Sequence, residues 1–360
     1  MDSKILSQTP QQLGYFMPAE WERHEATWIA WPHNHLDWPG KFAPIPWVYG
    51  EIARYLSLGE IVRIIVPSKQ YEARARNIMT RIGADSAKIE FFTFPTNRSW
   101  TRDYGPLFLK RKNGKSRLAI ARFRFNAWAK YRNWRKDDKI SEWAAQSLGL
   151  PLIPVQCQGR DVVLEGGAID VNGQGTLLAT EECLLDRETQ ARNPYLTREE
   201  LESVLRSDLG VSNILWLGGG IAGDDTHGHI DDLCRFVSPT TVVLCEEKNP
   251  KDVNYKPLQE NRERLQEMRL EDRSKIEAVP LPMPHPLYFE GTRLPASYAN
   301  FYIANAAVLV PTFNDPNDRI ALGILGELFA DRPAIGIHAV DLVWGFGTIH
   351  CLTQQQPSAK

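Results

Sequence analysis

Short runs of apolar residues, each bounded by turn-forming residues, recur along the whole chain and are typical of β-strands. The runs are ATWIAWP, EIVRIIVP, SRLAIARFRF, GTLLATEECLL, NILWLGG, TTVVLCEE and YIANAAVLVPTF. Segments of helical character lie between several of them. They predict helices over 45–58, 70–83, 138–148, 197–208, 257–271 and 316–331. This alternation of strand and helix indicates an α/β fold.

No low-complexity linker or block of charge divides the chain, so we expect residues 1–360 to form one large domain. Units of several strands and one helix recur about every 50 to 80 residues, as a weakly symmetric closed assembly would produce. The chain carries neither GxGxxG nor GxxxxGK[ST]. The absence of both phosphate-binding loops argues against a nucleotide enzyme of the Rossmann or P-loop type.

Composition narrows the class of partner. With 43% hydrophobic and 24% charged residues, the chain is typical of a globular protein that buries a full core. The 42 Lys and Arg are balanced by 44 Asp and Glu, which leaves no general positive field for nucleic acid or an anionic membrane. No stretch is apolar enough for a signal peptide or a membrane span. We therefore expect a soluble, non-secreted protein.

Four short polar segments interrupt the apolar pattern and combine ionisable residues with glycine, which allows sharp bends and close approach of a ligand. They are WTRDYGP (100–106), LEGG (164–167), GDDTHGHIDD (223–232) and GFGTIHCL (345–352). Each segment is weak evidence for a site when it is taken singly.

The histidines of the 223–232 segment permit two hypotheses. His227, His229 and Asp231 alternate, and in an extended segment alternate residues share one face, as in metallo-hydrolases that bind two metal ions. However, Asp232 stands where that pattern most often has another histidine. The second hypothesis pairs His229 and Asp231, as general acid/base and orienting carboxylate, with a distant nucleophile.

Cys351 is the candidate for that nucleophile. The chain has five cysteines with irregular spacing and no CxxC pair, which argues against a disulfide framework. Cys183, Cys234 and Cys245 lie in apolar runs and are expected to be small buried core residues. Cys351 instead follows a Gly-x-Gly turn, a polar and bent setting that suits a reactive thiolate.

Asp103, Glu165 and Asp231 would together place three carboxylates in one pocket. Desolvated carboxylates need a cationic partner. A guanidinium fits this requirement, because its planar fork of five donors matches two carboxylates and leaves the central carbon exposed to a thiolate.

With these motifs the chain resembles the agmatine deiminase family over almost its whole length, from about Trp21 to Pro357. The resemblance is carried, in family order, by TRDYGP, FNAW (125–128), LEGG, GDDTHGHIDD, NFYIAN (300–305), VPTFND and IHCLTQQQP. It implies the guanidine-modifying pentein superfamily and its fold, a five-bladed α/β propeller around a central polar site. One departure is Phe346, where many relatives carry a run of glycines.

The resemblance also implies the roles of the candidate residues. Cys351 matches the family nucleophile, and His229 with Asp231 match its His-x-Asp pair. Asp103 and Glu165 match its Arg-Asp and Glu-Gly-Gly carboxylates. The implied reaction converts agmatine and water to N-carbamoylputrescine and ammonia without a metal or organic cofactor. The implied setting is a cytoplasmic enzyme of polyamine synthesis, often a homodimer.

The expected mechanism clamps the guanidinium between Asp103 and Asp231, with Cys351 attacking its carbon, His229 moving protons and Glu165 orienting His229. Trp100, Asp225 and Trp31 are candidate contacts of the substrate tail through stacking, charge and cation–π attraction.

The alternatives within the superfamily are an arginine deiminase, a peptidylarginine deiminase and an amidinotransferase. A metallo-hydrolase using His227, His229 and Asp231 and a catalytically silent binding protein are the alternatives from other classes.

Overall fold

The computed structural model describes residues 8–114 and 116–359. Residues 1–7, on which part of the expected absence of a signal peptide depends, lie outside the described residues. The helices in the described part of the chain are α1 (Ile45–Leu56), α2 (Lys69–Arg81), α3 (Thr101–Tyr104), α4 (Ile140–Leu148), α5 (Glu181–Leu185), α6 (Arg198–Leu209), α7 (Tyr255–Glu267) and α8 (Asn317–Leu328).

The strands are short, and most of them are buried. In chain order they are β1 (His24–Ala30), β2 (Ile61–Val66), β3 (Ile89–Thr93), β4 (Leu107–Lys110), β5 (Leu118–Arg122), β6 (Leu152–Pro154), β7 (Gln156–Cys157), β8 (Arg160–Asp161), β9 (Asp170–Val171), β10 (Thr176–Thr180), β11 (Asn213–Leu217), β12 (Cys234–Phe236), β13 (Thr241–Glu246), β14 (Glu277–Pro282), β15 (Tyr288–Phe289), β16 (Thr292–Arg293), β17 (Tyr302–Ile303), β18 (Val308–Thr312), β19 (Ala334–His338) and β20 (Thr353–Pro357).

Within the described residues, five sheets of three or four strands share one plan. Each combines an antiparallel pair with a parallel pair whose strands are connected through a helix. In the sheet β4-β5-β6, β4 pairs antiparallel with β5, and α4 leads from β5 to the parallel strand β6. The sheets β9-β10-β11, β12-β13-β14 and β17-β18-β19 follow the same plan through α6, α7 and α8. The α/β class is therefore confirmed.

The remaining sheet joins the two ends of the described chain. β1, β2 and β3 are parallel and connected by α1 and α2, and β20 pairs antiparallel with β1. β20 has the polar sequence TQQQP and is nevertheless buried. Gln356 accepts a hydrogen bond from Trp28 Nε1 at 3.0 Å, and Gln355 accepts one from Arg102 Nη1 at 2.6 Å. Buried polar groups are tolerated when they are hydrogen-bonded, so β20 can be buried without apolar side chains. Its sequence therefore lacks the apolar pattern that predicts a buried strand.

All six predicted helices are present. Thr197 caps α6 with a reciprocal capping box that involves Glu200. The prediction of one strand over GTLLATEECLL was wrong in its second half, because Thr180 accepts a hydrogen bond from the backbone N–H of Cys183 at 3.1 Å and starts α5. The run YIANAAVLVPTF contains two strands, β17 and β18, rather than one.

Apolar side chains form two clusters in the core. The larger one contains the inner faces of α1 and α2 and the tryptophans Trp28, Trp31 and Trp38. The smaller one lies between β4, β5, β10 and α6 and includes Tyr15 and Met17. Among the described residues, no helix has the length and apolar character that crossing a bilayer requires.

The glycines that end α4 and α6 provide a matched test of backbone packing. Gly149 and Gly210 both adopt left-handed conformations, with φ of 65° and 69°. A Cβ on Gly210 would lie 2.3 Å from the carbonyl oxygen of Tyr15, whereas one on Gly149 would meet nothing within 4 Å. We predict that Gly149→Ala lowers the free energy of unfolding by about 1 kcal/mol through backbone strain.

Gly210→Ala should lower it by about 3 kcal/mol, because the clash with Tyr15 adds to the same strain. Urea denaturation of both variants measures the difference. Equal losses would contradict the packing of Tyr15 against the end of α6.

Candidate active site

The structure brings the five predicted catalytic residues together in one buried site. Cys351, His229, Asp231, Asp103 and Glu165 are each at most 5% exposed. They lie on short connecting segments rather than inside the long strands. Asp103 belongs to α3, Glu165 and His229 each precede a single 3₁₀ turn, and Cys351 lies two residues before the last strand. Each polar segment of the sequence therefore contributes one or more groups to this place.

His229 lies at the centre of the carboxylates. Its Nδ1 is 3.8 Å from Asp103 Oδ1 and 3.8 Å from Asp231 Oδ1, and its Nε2 is 4.0 Å from Glu165 Oε2. Neither ring nitrogen has a hydrogen-bond partner among the described residues. Burial opposes a positive charge on the ring, but the charge of Asp103, the neighbouring Cys183 and the charge of Asp231 outweigh it and raise the pKa of His229 well above its ordinary value. The ring is therefore poised to carry a proton.

Asp103 is held by two donors from other segments. Its Oδ2 accepts from Trp128 Nε1 at 2.9 Å, and its Oδ1 accepts from the backbone N–H of Gly167 at 3.1 Å. A Cβ on Gly167 would lie 2.6 Å from His229 Nδ1, so the LEGG turn needs glycine for this close approach. Burial raises the pKa of Asp103 to about 6, although the nearby His229 opposes the rise.

Asp231 is connected to a chain of buried polar groups. Its Oδ2 lies 2.6 Å from His350 Nδ1, and His350 Nε2 lies 2.8 Å from Glu20 Oε2. Glu20 also pairs with Arg102 at 3.2 Å and Arg235 at 3.1 Å. Burial opposes the charge of Asp231, but the hydrogen bond from His350 outweighs it and lowers the pKa of this carboxyl. Asp231 therefore stays ionised, and its Oδ1 is without a hydrogen-bond partner among the described residues.

Glu165 forms a fully buried ion pair with Arg192, whose Nε lies 3.1 Å from Glu165 Oε1. Arg192 also donates to the carbonyl of Thr226, in the loop that precedes His229. The second oxygen of Glu165 faces His229 and has no hydrogen-bond partner in the described chain. Glu165 thus contributes charge beside His229 without a hydrogen bond to it.

Asn300 fixes the segment that carries Cys351. Its Nδ2 donates to Cys351 Sγ at 3.1 Å and to Asp232 Oδ1 at 2.9 Å. Its Oδ1 accepts from Thr348 Oγ1 at 2.7 Å and from the backbone N–H of His350 at 3.1 Å. One amide therefore sets the position of the thiol relative to the 223–232 segment.

The Cys351 thiol is surrounded by negative charge. Its Sγ lies 3.7 Å from Asp231 Oδ2. Burial raises the pKa of the thiol well above its ordinary value of 9.0, and the charges of Asp231, Asp232 and Asp103 act in the same direction. The hydrogen bond from Asn300 has the opposite effect and is too weak to offset them. The free protein therefore holds Cys351 as a neutral thiol near pH 7.

A cavity of about 530 Å³ leads to Cys351 and Asp103. Trp100 and Asp225 both line it, as do Trp128 and Phe346. Asp225 is already paired with Lys130 Nζ at 2.5 Å and Tyr131 Oη at 2.7 Å. Phe346 adopts a left-handed conformation with φ of 65°, which explains how the chain forms this turn without the usual run of glycines.

Trp31 does not have the position expected of a tail contact. It is 2% exposed and packs edge-on against Tyr49 in the core, with ring centroids 6.3 Å apart. The expectation that Trp31 reaches the substrate was wrong, because its ring completes the apolar cluster behind the cavity wall.

The spacing His227-x-His229-x-Asp231 does not form a metal site. The segment is not extended at this point, since His227 has φ of 66° and Gly228 has φ of 88°. His227 Nε2 points to Asp186 at 2.9 Å, whereas His229 faces Asp103 and Asp231. The side chains therefore diverge, and the geometry contradicts the metallo-hydrolase hypothesis in that form. Within the described residues, two other groups of three side chains bring possible metal-ligand atoms within 4.8 Å of one another. One group is Glu165, Cys183 and His229, and the other is Asp231, Asp232 and Cys351.

Several residues of the site were not predicted from the sequence. Asn300 and Trp128 lie in NFYIAN and FNAW, segments that marked the resemblance but suggested no role. His350 is adjacent to Cys351 and could have been proposed from that position. Arg192 and Glu20 lie in segments with no chemical motif, and only the tertiary structure places them beside Glu165 and His350.

The sequence pattern of the Porphyromonas-type peptidyl-arginine deiminase family matches residues 16–357. The chain belongs to this family. A curated agmatine deiminase from Stutzerimonas stutzeri (strain A1501) is 35% identical over 98% of this chain and 98% of its own length. The agmatine deiminase from Pseudomonas aeruginosa (strain LESB58) is 34% identical over 98% of both chains.

Solved structures of deiminases have the same fold. The agmatine deiminase of Enterococcus faecalis superposes with a TM-score of 0.89, at 31% identity, over 99% of both chains. A cysteine-to-serine variant of the C. jejuni agmatine deiminase, with substrate bound, superposes with a TM-score of 0.83, at 30% identity, over 96% of both chains. The deiminase fold therefore extends over nearly the whole chain.

The charges around Cys351 predict its reactivity in the free protein. Because the pKa of the thiol is raised, we expect its alkylation by iodoacetamide to be slow near pH 7. The rate should still be rising with pH at about pH 9, since the thiolate is not yet the main form there. Mass spectrometry of the peptide that contains Cys351 measures this rate. A plateau below about pH 8 would show that the thiolate already exists without substrate.

Proposed function

We propose that this protein hydrolyses the guanidinium group of agmatine to N-carbamoylputrescine and ammonia. The observation that carries the proposal is the set of buried carboxylates beside Cys351. Besides His229, the described residues pair Glu165 with Arg192 and Asp231 with His350, but give Asp103 only neutral donors. A planar guanidinium on the Nδ1 side of His229 would donate to Asp103 and to the free Oδ1 of Asp231, and its positive charge would compensate their burial.

The relatives support the same substrate. The curated proteins from Stutzerimonas stutzeri and Pseudomonas aeruginosa are named agmatine deiminases, and each matches this chain over nearly its full length. The C. jejuni structure combines a bound substrate with a cysteine-to-serine change. A cysteine nucleophile in this chain, Cys351, agrees with that combination.

In the proposed mechanism Asp103 and Asp231 hold the guanidinium, and its central carbon lies against Cys351 Sγ. The positive charge of the substrate stabilises the thiolate, so Cys351 gives its proton to solvent water as substrate binds and His229 keeps its own. Sulfur then adds to the carbon, the carbon–nitrogen bond to one terminal amino group breaks, and His229 gives that nitrogen a proton to release ammonia. Glu165 contributes negative charge that favours the protonated form of His229.

Water completes the reaction. His229, now a base, takes a proton from a water molecule that attacks the thiouronium carbon. The carbon–sulfur bond then breaks, Cys351 is regenerated and the urea product leaves. Agmatine and one water thereby become N-carbamoylputrescine and one ammonia, a step in the formation of putrescine from arginine. No metal or organic cofactor takes part in this proposal.

Trp100 and Asp225 are proposed to contact the aliphatic tail and its terminal ammonium. Both line the cavity that leads to Cys351, and Trp100 packs against Trp38 with ring centroids 5.2 Å apart. Asp225 contributes a carboxylate on the cavity wall, although Lys130 already pairs with it. An ammonium that binds Asp225 would compete with Lys130 for this carboxylate.

We also propose that the chain forms a single domain arranged as a five-bladed α/β propeller. Five sheets with the same plan and the pairing of β20 with β1 support this arrangement. The cytoplasmic location and the homodimer that the resemblance implies stay predictions, and light scattering of the purified protein tests the dimer.

Ammonia release from agmatine, measured with chelator present, tests the function. We expect turnover by the wild-type protein that chelator leaves unchanged and that alkylation with iodoacetamide abolishes. Cys351→Ser should lose turnover by a factor of about 1,000 or more, because the hydroxyl is a far weaker nucleophile than a thiolate. Near-normal turnover by Cys351→Ser would contradict the mechanism.

The same assay separates the alternatives. Faster release from free arginine or from a peptidyl-arginine would assign the protein to another deiminase of the family. Absence of ammonia together with transfer of the amidino group from agmatine to an added acceptor amine, with putrescine released, would indicate an amidinotransferase. No reaction with any of these compounds would indicate a binding protein.

The tail contact has its own test, which compares agmatine with butylguanidine, a substrate of the same shape without the ammonium. Asp225→Asn should raise KM for agmatine about tenfold and leave KM for butylguanidine unchanged. Only agmatine has a terminal ammonium that can bind the Asp225 carboxylate. Lys130→Met is the matched variant, and it should lower KM for agmatine by freeing Asp225. Equal effects of Asp225→Asn on both substrates would assign Asp225 to the cavity wall alone.

A further inference from the structure

Cys183 lies against His229, although its sequence context predicts an ordinary core residue. It is 1% exposed, and its Sγ, a carboxylate oxygen of Glu165 and a ring nitrogen of His229 all lie within 4.8 Å of one another. Glu165 approaches His229 at Nε2, so this group is on the Nε2 side of the ring. Asp103 and Asp231 approach the opposite nitrogen, Nδ1. The thiol is therefore on the side of the imidazole that faces away from the two clamping carboxylates.

The local structure fixes this thiol relative to the histidine loop. Thr180 accepts a hydrogen bond from the backbone N–H of Cys183 at 3.1 Å, which caps α5. The same hydroxyl donates to the carbonyl of Gly228, the residue before His229. One buried side chain thus connects the start of α5 to the backbone of His229, and Cys183 cannot shift independently of that loop.

The Nε2 side of the ring needs such a neighbour. Glu165 Oε2 is 4.0 Å from Nε2, too far for a hydrogen bond, and its other oxygen is held by Arg192. The proposed mechanism places the guanidinium between Asp103 and Asp231, on the Nδ1 side of the ring, so proton transfer would use Nδ1 and leave the hydrogen on Nε2. Nε2 has no hydrogen-bond partner in the described chain, so the soft, polarisable sulfur of Cys183 acts on this side of the ring by packing beside it.

We propose that Cys183 is a positioning residue for His229, whose sulfur keeps the ring oriented with Nδ1 toward the substrate guanidinium. This inference rests on the proposed function. It also agrees with the effect of the thiol on the imidazole, since Cys183 is among the groups that raise the pKa of His229.

The test compares Cys183→Ala, Cys183→Ser and Cys234→Ala in the ammonia assay with agmatine, over a range of pH. Cys183→Ala should lower kcat about tenfold or more and change KM little, because misplacing a catalytic group by about 1 Å costs on the order of a hundredfold. The limb of the kcat profile that reports His229 should move to lower pH, since a group that raises its pKa is gone. Cys183→Ser should recover most of kcat, because it keeps a polar atom of similar size on the Nε2 side of the ring.

Cys234→Ala is the matched control, since Cys234 is an equally buried cysteine of β12, and its change should leave kcat and the pH profile as in the wild type. The inference is wrong if Cys183→Ala behaves like Cys234→Ala. It is also wrong if alanine and serine at position 183 lower kcat equally without moving the pH profile, which would indicate packing alone. If the wild type and Cys234→Ala release no ammonia from agmatine, the proposed function fails instead. If Cys183→Ala does not fold, the nearly isosteric Cys183→Ser takes its place, since it also lacks the sulfur. A His229 limb at the wild-type pH in Cys183→Ser would then contradict the inference.

Discussion

The ring of His229 is surrounded by three buried carboxylates, Asp103, Glu165 and Asp231. The arrangement of the residues around them depends on the free-energy cost of burying these charges. Carboxylates taken out of water must be paired or protonated. Asp231 and Glu165 are paired, through His350 and Arg192. Asp103 has only neutral donors besides His229, and its raised pKa reflects that lack. The residual negative charge holds a proton on His229 and prepares the site for a cation.

A second set of buried charges supports the first from outside. Glu20 lies between Arg102, Arg235 and His350. This group connects α3, β12 and the segment before β20 to Asp231, which His350 also contacts. The connection explains why β20 is polar and yet fully inside the protein, since Gln355 completes the hydrogen bonds of Arg102. Chemical groups from distant parts of the chain thus depend on one another through buried ion pairs, so losing one partner would leave another charge uncompensated.

Much of this site could be predicted from the sequence, because nucleophile, histidine and carboxylates lie in short glycine-containing segments that interrupt the apolar pattern. The alternation of strands and helices likewise predicted the α/β class. The supporting residues could not be predicted in the same way. Arg192 and Glu20 act only through tertiary contacts, and Cys183 has the apolar context of a core residue. Periodicity also missed β20, because its pairing depends on hydrogen bonds of Gln355 and Gln356 rather than on apolar burial.

The same electrostatics connects recognition to reactivity. Burial and the negative charge of the neighbouring carboxylates raise the pKa of the Cys351 thiol in the free protein, so in the proposed mechanism the thiol is unreactive until a cation binds. A guanidinium that balances Asp103 and Asp231 offsets the electrostatic part of that rise, and the thiolate forms where it can attack. A neutral molecule of similar shape could occupy the cavity but would leave the thiol protonated. Discrimination by charge therefore acts on the chemical step as well as on binding, and the site needs no separate device to protect Cys351 from unrelated electrophiles.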